Sequence, residues 1–277
     1  MTQPSSPSAT DVPTATAARD GRIGILTFNR PRALNAFSSA LMAEATAILR
    51  DFVADPRVLA IVVRGEGRAF SAGFDLKESA ARGTRGHAAW RQVLEADFDF
   101  IMQFWDCPKP TVAAVHGYCL GGAFELALAC DITVAGEDAR FGEPEVRFGS
   151  GIVAMLLPWI VGPKHAKEML LTGADRLTAA RMHDIGVVNQ VVPDAELPAA
   201  ALAMARGLAA ASPEAVRLTK RAINRSYERM GLREALREAL EIDIALEAEE
   251  NPVRAEFNRI RQAEGLAAAL AWRDARE

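Results

Sequence analysis

Three glutamates and two glycine-rich turns are the parts of this sequence equipped to act on a substrate. Glu125 stands in the first turn of the apolar run AFELALAC, between Phe124 and Leu126, where a solvated acid would be out of pattern. A carboxyl buried there must be paired, hydrogen-bonded or protonated, and its pKa is readily displaced. A favourable charge at a helix N-terminus is the plainer reading of the same residue. Further on, FGEPEVRFG supplies Glu143 and Glu145 around Pro144, and either can face Glu125 across a pocket. Two carboxyls sharing one water form a device for adding water to a double bond or removing it. One takes a proton from oxygen and the other gives a proton to carbon. A solvated acidic loop would account for Glu143 and Glu145 without any chemistry.

The glycine turns are GEGRAFSAGFDLKES (65–79) and HGYCLGGAFELALACDI (116–132). Glycine lets a ligand come close to the backbone, and each turn runs into a helix start. Free N–H groups at a helix N-terminus carry the positive end of the dipole, so two such turns converging on one point would stabilise a developing oxyanion. Each turn alone is as readily structural, because glycine commonly joins a strand to a helix.

These residues need a scaffold, and the flanking segments supply it. RIGILTF (22–28), VLAIVVRG (58–65), TVAAVHG (111–117) and DITVAG (131–136) read as strands, the apolar runs among them as strands buried on both faces. A helix capped by Ser38 or Ser39 carries Leu41, Ala45, Ile48, Leu49 and Phe52 at helical spacing until Asp55-Pro56. A helix or helical turn starts near Asp75, and another contains Phe98, Ile101, Met102 and Trp105 before Cys107-Pro108-Lys109-Pro110. Strand, glycine turn and helix thus occur twice, which predicts an α/β fold with a mostly parallel core and both turns at the carboxyl edge of the sheet. After VVNQVV (187–192) the pattern is helical, with Ser212 as N-cap and Pro213 at the first helical position of one helix. The expected organisation is a disordered tail at 1–20, an α/β core at 21–197 and a helical C-terminal region at 198–277.

Composition removes other classes. Half of the 277 residues are hydrophobic, a quarter are charged, and the net charge of −4 comes from interspersed acids and bases. No basic run is present to neutralise a nucleic-acid backbone, so no nucleic-acid partner is expected. No apolar run reaches the roughly 18 residues of a membrane span, and no membrane association is expected. The first twenty residues lack a signal-peptide core and the arginine content of a presequence. Cys107, Cys119 and Cys130 lie in or beside apolar stretches without a CxxC spacing, which reads as buried free thiols in a reducing, cytoplasmic compartment. The four histidines show no HExxH or other metal spacing, so no metal site is expected, and no G-x-S-x-G elbow marks a serine hydrolase. His116 reads as structural.

The blocks NRPRALNAF, GRAFSAGFDLKE, KPTVAAVHGYCLGGAFELALACDI, ARFGEPEVRFG, LLTGADRLTAARMHDIGVVNQVVP and EGLAAALAWRDAR stand in the order of the crotonase (enoyl-CoA hydratase/isomerase) superfamily. The chain resembles that family from about Gly21 to Arg273. The resemblance implies a spiral of ββα units followed by a helical trimerisation region, and a homotrimer or a dimer of trimers. It implies an oxyanion hole made by the backbone N–H groups of Phe74 and Gly122, with Glu125 and Glu145 as the two catalytic acids. Family hydratases keep both acids, isomerases typically only the second, so the resemblance favours an enoyl-CoA hydratase. An enoyl-CoA isomerase or acyl-CoA hydrolase of the same fold, or a non-catalytic acyl-CoA binder, are the alternatives. Coenzyme A enters as part of the thioester substrate, not as a resident cofactor. Its adenine and pantetheine arm would lie along Ala72, Asp75, Leu76 and Lys77, with Lys77 near the phosphates and Arg30 or Arg32 assisting. After Glu145 the chain reads VRFGSGIVAMLLPWIVG, a departure from the family pattern on the acyl side of the site.

Overall fold

The computed structural model describes residues 12–276. The main sheet has six strands: β1 (Ala15–Asp20), β2 (Ile23–Phe28), β3 (Ala60–Gly65), β5 (Thr111–Val115), β7 (Ile132–Gly136) and β10 (Gln190–Val192), neighbours in that order. β1 pairs antiparallel with β2, and every other neighbour is parallel. A second sheet of four short strands has the order β4 (Ala69–Ser71), β6 (Tyr118–Leu120), β8 (Arg140–Gly142) and β9 (Leu177–Thr178).

Each long strand from β3 onward leads into a short one: β3 into β4, β5 into β6, β7 into β8. Successive units step the same way in both sheets, which makes the ββα spiral. The first unit is followed by α2 (Leu76–Arg82) and α3 (His87–Asp106), the second by α4 (Gly122–Ala129). Side chains alternate across a strand, so the main sheet feeds two cores. Ile61, Val63, Ala113, Val115 and Ala135 join the large core, whereas Ala60, Val62, Val112, Ala114 and Val134 join a smaller one. The large core is filled from α1 (Ser39–Ala54) by Leu41, Ala45, Leu49 and Phe52, and Ser38 caps that helix by accepting from the Leu41 N–H at 3.2 Å. The smaller core is closed by α7 (Leu197–Ala210), whose Leu197, Ala201, Ala205 and Ala209 recur every fourth residue and face the sheet.

Two boundaries differ from the sequence reading. The tail expected at 1–20 contains β1; residues 1–11 lie outside the described residues. The strand carries alanine and threonine with little apolar alternation, and it is held by its ladder with β2 and by Glu44, which accepts from the Thr14 and Ala15 N–H groups at 2.7 and 2.9 Å. The cut between 197 and 198 does not separate two bodies either. α7 covers the sheet, and α9 (Leu232–Ala248) inserts Leu232, Leu236, Leu240 and Ile244 into the large core. Between them α8 (Pro213–Arg229) starts at the expected Ser212 cap. Only α10 (Pro252–Glu264) and α11 (Leu266–Asp274) build a core of their own, around Phe148, Phe257, Ile260 and Ala269.

The short strands of the second sheet had no counterpart in the sequence reading. Two or three residues are too few to show a period of two. They matter because β4 and β6 end at the two glycine turns and pair with each other, which brings those turns side by side.

Candidate active site

The first turn is built by β4 and braced by the loop 30–37. Asn35 is fully buried and donates to Glu66 O and Ala69 O at 2.9 and 2.8 Å, while the Ala72 N–H donates to Leu34 O at 2.9 Å. Phe37 N–H donates to Gly73 O at 2.8 Å and Asp75 N–H donates to Phe37 O at 3.1 Å. Those two bonds flank Phe74, whose own N–H takes no hydrogen bond among the described residues. The second turn follows β6. Gly121 N–H donates to Gly142 O at 2.8 Å, and Gly121 O accepts from Phe124 and Glu125 at 2.7 and 3.1 Å. Gly122, the first residue of α4, has no intrahelical acceptor for its N–H.

The turns touch. A Cβ built on Gly73 would lie 3.2 Å from Gly122 N and 2.6 Å from Leu120 O, and Gly73 takes a φ of +83°. Only glycine allows this approach. The Phe74 ring lies over Gly122 and packs edge-on to Phe37, with ring centroids 5.9 Å apart. Two unspent N–H groups, one at a helix N-terminus, therefore open onto one cavity of about 660 Å³.

The cavity wall includes Ala72, Phe74, Leu76, Gly122, Glu125 and Glu145. Arg30, Asp75 and Lys77 do not line it. Arg30 pairs with Asp75 at 2.9 Å, and Asp75 caps α2 by accepting from Lys77 N–H and Glu78 N–H. The pair holds the loop in place. Lys77 is exposed on the outside of α2.

α4 is buried along its whole length, and Glu125 within it is 1% exposed. Its two carboxylate oxygens accept from Val153 N–H at 3.2 Å and Ala154 N–H at 2.8 Å. Those donors belong to the segment after Gly149 that departs from the family pattern, so that segment grips the first acid. Glu145 opens a short 3-10 turn, Glu145–Phe148, and its Oε1 would lie 2.2 Å from a Cβ on Gly121. Glu143 is as buried as Glu125, whereas Glu145 is half-buried. One oxygen of Glu143 and one of Glu145 have no protein partner among the described residues.

Burial pushes all three carboxyls up. Glu125 is raised well above the usual range by burial and by the charge of Glu145, against the pull of its two N–H donors. Glu143 is raised by burial and by the charges of Glu145 and Glu125. Glu145 reaches about 7: burial raises it, while a hydrogen bond from Glu143 and the Arg273 cation pull it back. Glu143 and Glu145 share a hydrogen bond, and the three carboxyls titrate together rather than singly.

Arg273, on α11, was not anticipated. It is buried, pairs with Asp175 at 2.6 Å, and with Asp274 and Arg147 ties α11 across the mouth of the site. Asp97 on α3 and Asp243 on α9 also line the cavity unanticipated, although the sequence carries a signal for both. Each interrupts an apolar stripe at helical spacing: Leu94, Asp97, Phe98, Ile101 on one helix and Leu236, Leu240, Asp243, Ile244 on the other. His116 is structural, its Nε2 lying 2.8 Å from Gly67 O, and the three cysteines are free and buried.

With this geometry in place, residues 18–251 match the family model described as enoyl-CoA hydratase/isomerase. The chain belongs to that family. A solved enoyl-CoA hydratase/isomerase from Xanthobacter autotrophicus Py2 superposes with a TM-score of 0.94 at 50% identity, covering 95% of this chain and 98% of that one. A Rhizobium meliloti protein named "Probable enoyl-CoA hydratase" is 38% identical over 92% of this chain and 94% of its own length. A Dictyostelium discoideum protein, "Probable enoyl-CoA hydratase, mitochondrial", is 38% identical over 81% of this chain and 79% of its own. Membership in the enoyl-CoA hydratase/isomerase family accounts for the ββα spiral and for the conjunction of two glycine turns with buried acids. No helix among the described residues is long and apolar enough to cross a membrane.

Proposed function

We propose that the chain catalyses the reversible addition of water to a 2-enoyl-CoA thioester, giving a 3-hydroxyacyl-CoA. The observation that carries this reading is the placement of two carboxyls, Glu125 and Glu145, on the same cavity as the free N–H groups of Phe74 and Gly122. Withdrawing charge toward the thioester oxygen makes C3 electrophilic, and the two N–H groups receive the charge that develops as the enolate forms. In its ionised form, which the Val153 and Ala154 N–H groups favour against burial, Glu125 takes a proton from water as the oxygen attacks C3. Glu145, raised to about 7, holds a proton for part of the time at neutral pH and delivers it to C2. The reverse sequence dehydrates the product.

Coenzyme A is the acyl carrier in this reading. Its pantetheine arm follows Ala72 to Leu76, and Lys77 outside the cavity meets the phosphates. Arg30 and Asp75 act at one remove, by bracing that loop. The exposed apolar side chains Leu218 and Ile223 on α8 and Ile242 on α9 suit a homotrimer or a dimer of trimers. Three buried thiols suit a reducing, cytoplasmic setting.

The test is turnover of a panel of enoyl-CoA and 3-hydroxyacyl-CoA thioesters in labelled water. Oxygen from solvent at C3 is the expected result. Migration of the double bond without label identifies an isomerase, and release of free coenzyme A a hydrolase. Glu125→Gln and Glu145→Gln each lose hydration severely and keep acyl-CoA affinity; full turnover in either variant removes that glutamate from the scheme.

A further inference from the structure

The far end of the cavity holds carboxyls that the hydration scheme leaves unused. Beyond the glutamates it is walled by α3 and α9, which lie side by side and are tied on the outside by Arg91 and Glu241. Trp90 and Leu94 give this end an apolar side. Opposite that character stand Asp97, 6% exposed, Asp243, 4%, and Glu247, 7%. Glu247 is spent: it pairs with Arg254 at 2.7 Å and accepts hydrogen bonds from Ser150 and from the Gly151 backbone.

The two aspartates are not spent. Asp243 Oδ1 is buried without a hydrogen-bond partner among the described residues, and the Gly151 backbone packs so close that a Cβ there would lie 2.0 Å from it. Asp97 makes no hydrogen bond or ion pair among the described residues, and Arg82 acts on it only through its charge. The charges of Glu145 and Asp97 both bear on Asp243, and the three side chains line one cavity. A buried acceptor left unmatched is costly, and a purely apolar acyl chain filling this space offers the Asp243 carboxyl no donor.

Resting on the acyl-CoA reading above, we propose that Asp243, with Asp97 behind it, selects acyl groups that carry a hydrogen-bond donor, a hydroxyl or an amine, a few bonds beyond C3. The carboxyl accepts from that donor where an alkyl chain offers nothing. A chain ending in a carboxylate meets like charge once Asp243, raised to about 7 by burial and by the charges of Glu247 and Glu145, is ionised.

Binding of saturated acyl-CoA thioesters, measured by titration calorimetry, tests this without requiring turnover. The probes are matched short- and medium-chain thioesters bearing an alkyl, hydroxyl, amino or carboxylate end. Wild-type protein binds the hydroxyl or amino member tighter than the alkyl one by about tenfold or more, the worth of one hydrogen bond to a charged group. The two donor arms separate a neutral from a cationic ligand. Asp243→Leu abolishes or reverses the preference, and Asp243→Asn, which keeps an acceptor oxygen, retains part of it. Equal affinity for alkyl and donor-bearing chains, tighter binding of the carboxylate, or an unchanged ratio in Asp243→Leu overturns the proposal. Should Asp243→Leu fail to fold, the wild-type ratio and Asp243→Asn still decide. Failure of every thioester to bind overturns the acyl-CoA reading as well, whereas tight alkyl binding with no donor preference overturns only this one.

Discussion

Gly121→Ala separates the position of a catalytic carboxyl from the stability of the fold. Gly121 has a φ of +56°, and an added Cβ would come within 2.2 Å of Glu145 Oε1. Real Cβ atoms essentially never come within 3.0 Å of a neighbour, so the carboxyl must retreat by about 0.8 Å, and a displacement near 1 Å costs about 100-fold in rate when the group acts on a near-attack geometry. The atom displaced is the far end of a flexible side chain, but Gly121 itself, at φ +56° and ψ −134°, sits in a region that glycine alone adopts readily, so the added Cβ also costs the fold about 1–3 kcal/mol. Gly21 supplies the control. Its φ is +58°, it lies in the β1–β2 turn, and an added Cβ meets nothing within 4 Å. Gly21→Ala carries the strain of a positive φ and no displacement. Both variants therefore melt a few degrees below wild type, roughly 2–4 °C for each kcal/mol in a chain of this size. Only Gly121→Ala loses kcat, with KM near the wild-type value because the acyl-CoA contacts stay in place. Loss of the enoyl thioester absorbance gives the rates, and thermal melts give the stabilities. Wild-type kcat in Gly121→Ala, or an equal kcat loss in both variants, refutes the assignment of Glu145 to proton transfer at this position.

Further outcomes follow from charge and packing. The Arg273 cation holds Glu145 down against burial, so Arg273→Gln raises the Glu145 pKa above about 7. An acid must be protonated to donate, so activity is lost as pH rises through that pKa. The alkaline limb of the kcat profile moves up in Arg273→Gln and returns in Arg273→Lys; an immobile limb detaches Glu145 from the acid role. Asp97 is raised from 3.8 to about 7 by burial, with the Arg82 charge opposing and the Glu78 charge adding. The folded state binds the extra proton between those values, so stability falls as pH rises through that window. Asp97→Asn removes the loss, and its gain in Tm over wild type is larger at about pH 8 than at about pH 5, with an upper bound of about 4 kcal/mol. Equal gains at both pH values would show that Asp97 is not held neutral by burial. Light scattering reports a trimer or a pair of trimers; a monomer removes the assembly proposed for the α8 and α9 faces.

Much of the scaffold is legible in the chain because its signals are local. The long strands β2, β3, β5 and β7 are apolar runs with breakers at their ends, and α1 and α8 announce themselves by Ser38 and Ser212. Glu125 could be singled out because an acid in an apolar helix is out of pattern. Asp97 and Asp243 carried that same signal and went unread, since α3 and α9 have polar faces among which one more acid is inconspicuous.

What the sequence by itself determined is an α/β chain with two glycine turns, one anomalous buried acid and a block order that names a family. Its residues alone left Glu143 and Glu145 open, the family resemblance choosing Glu145, and they could not say which charges were paired, because that depends on residues far apart in the chain. Only the tertiary structure decided that Arg30 and Asp75 spend their charges on each other, that Val153 and Ala154 hold Glu125, and that Arg273 reaches Glu145 from the last helix. Hydrogen bonds, charge and burial act through space, and the short strands β4 and β6, invisible to periodicity, place the N–H groups of Phe74 and Gly122 on one cavity.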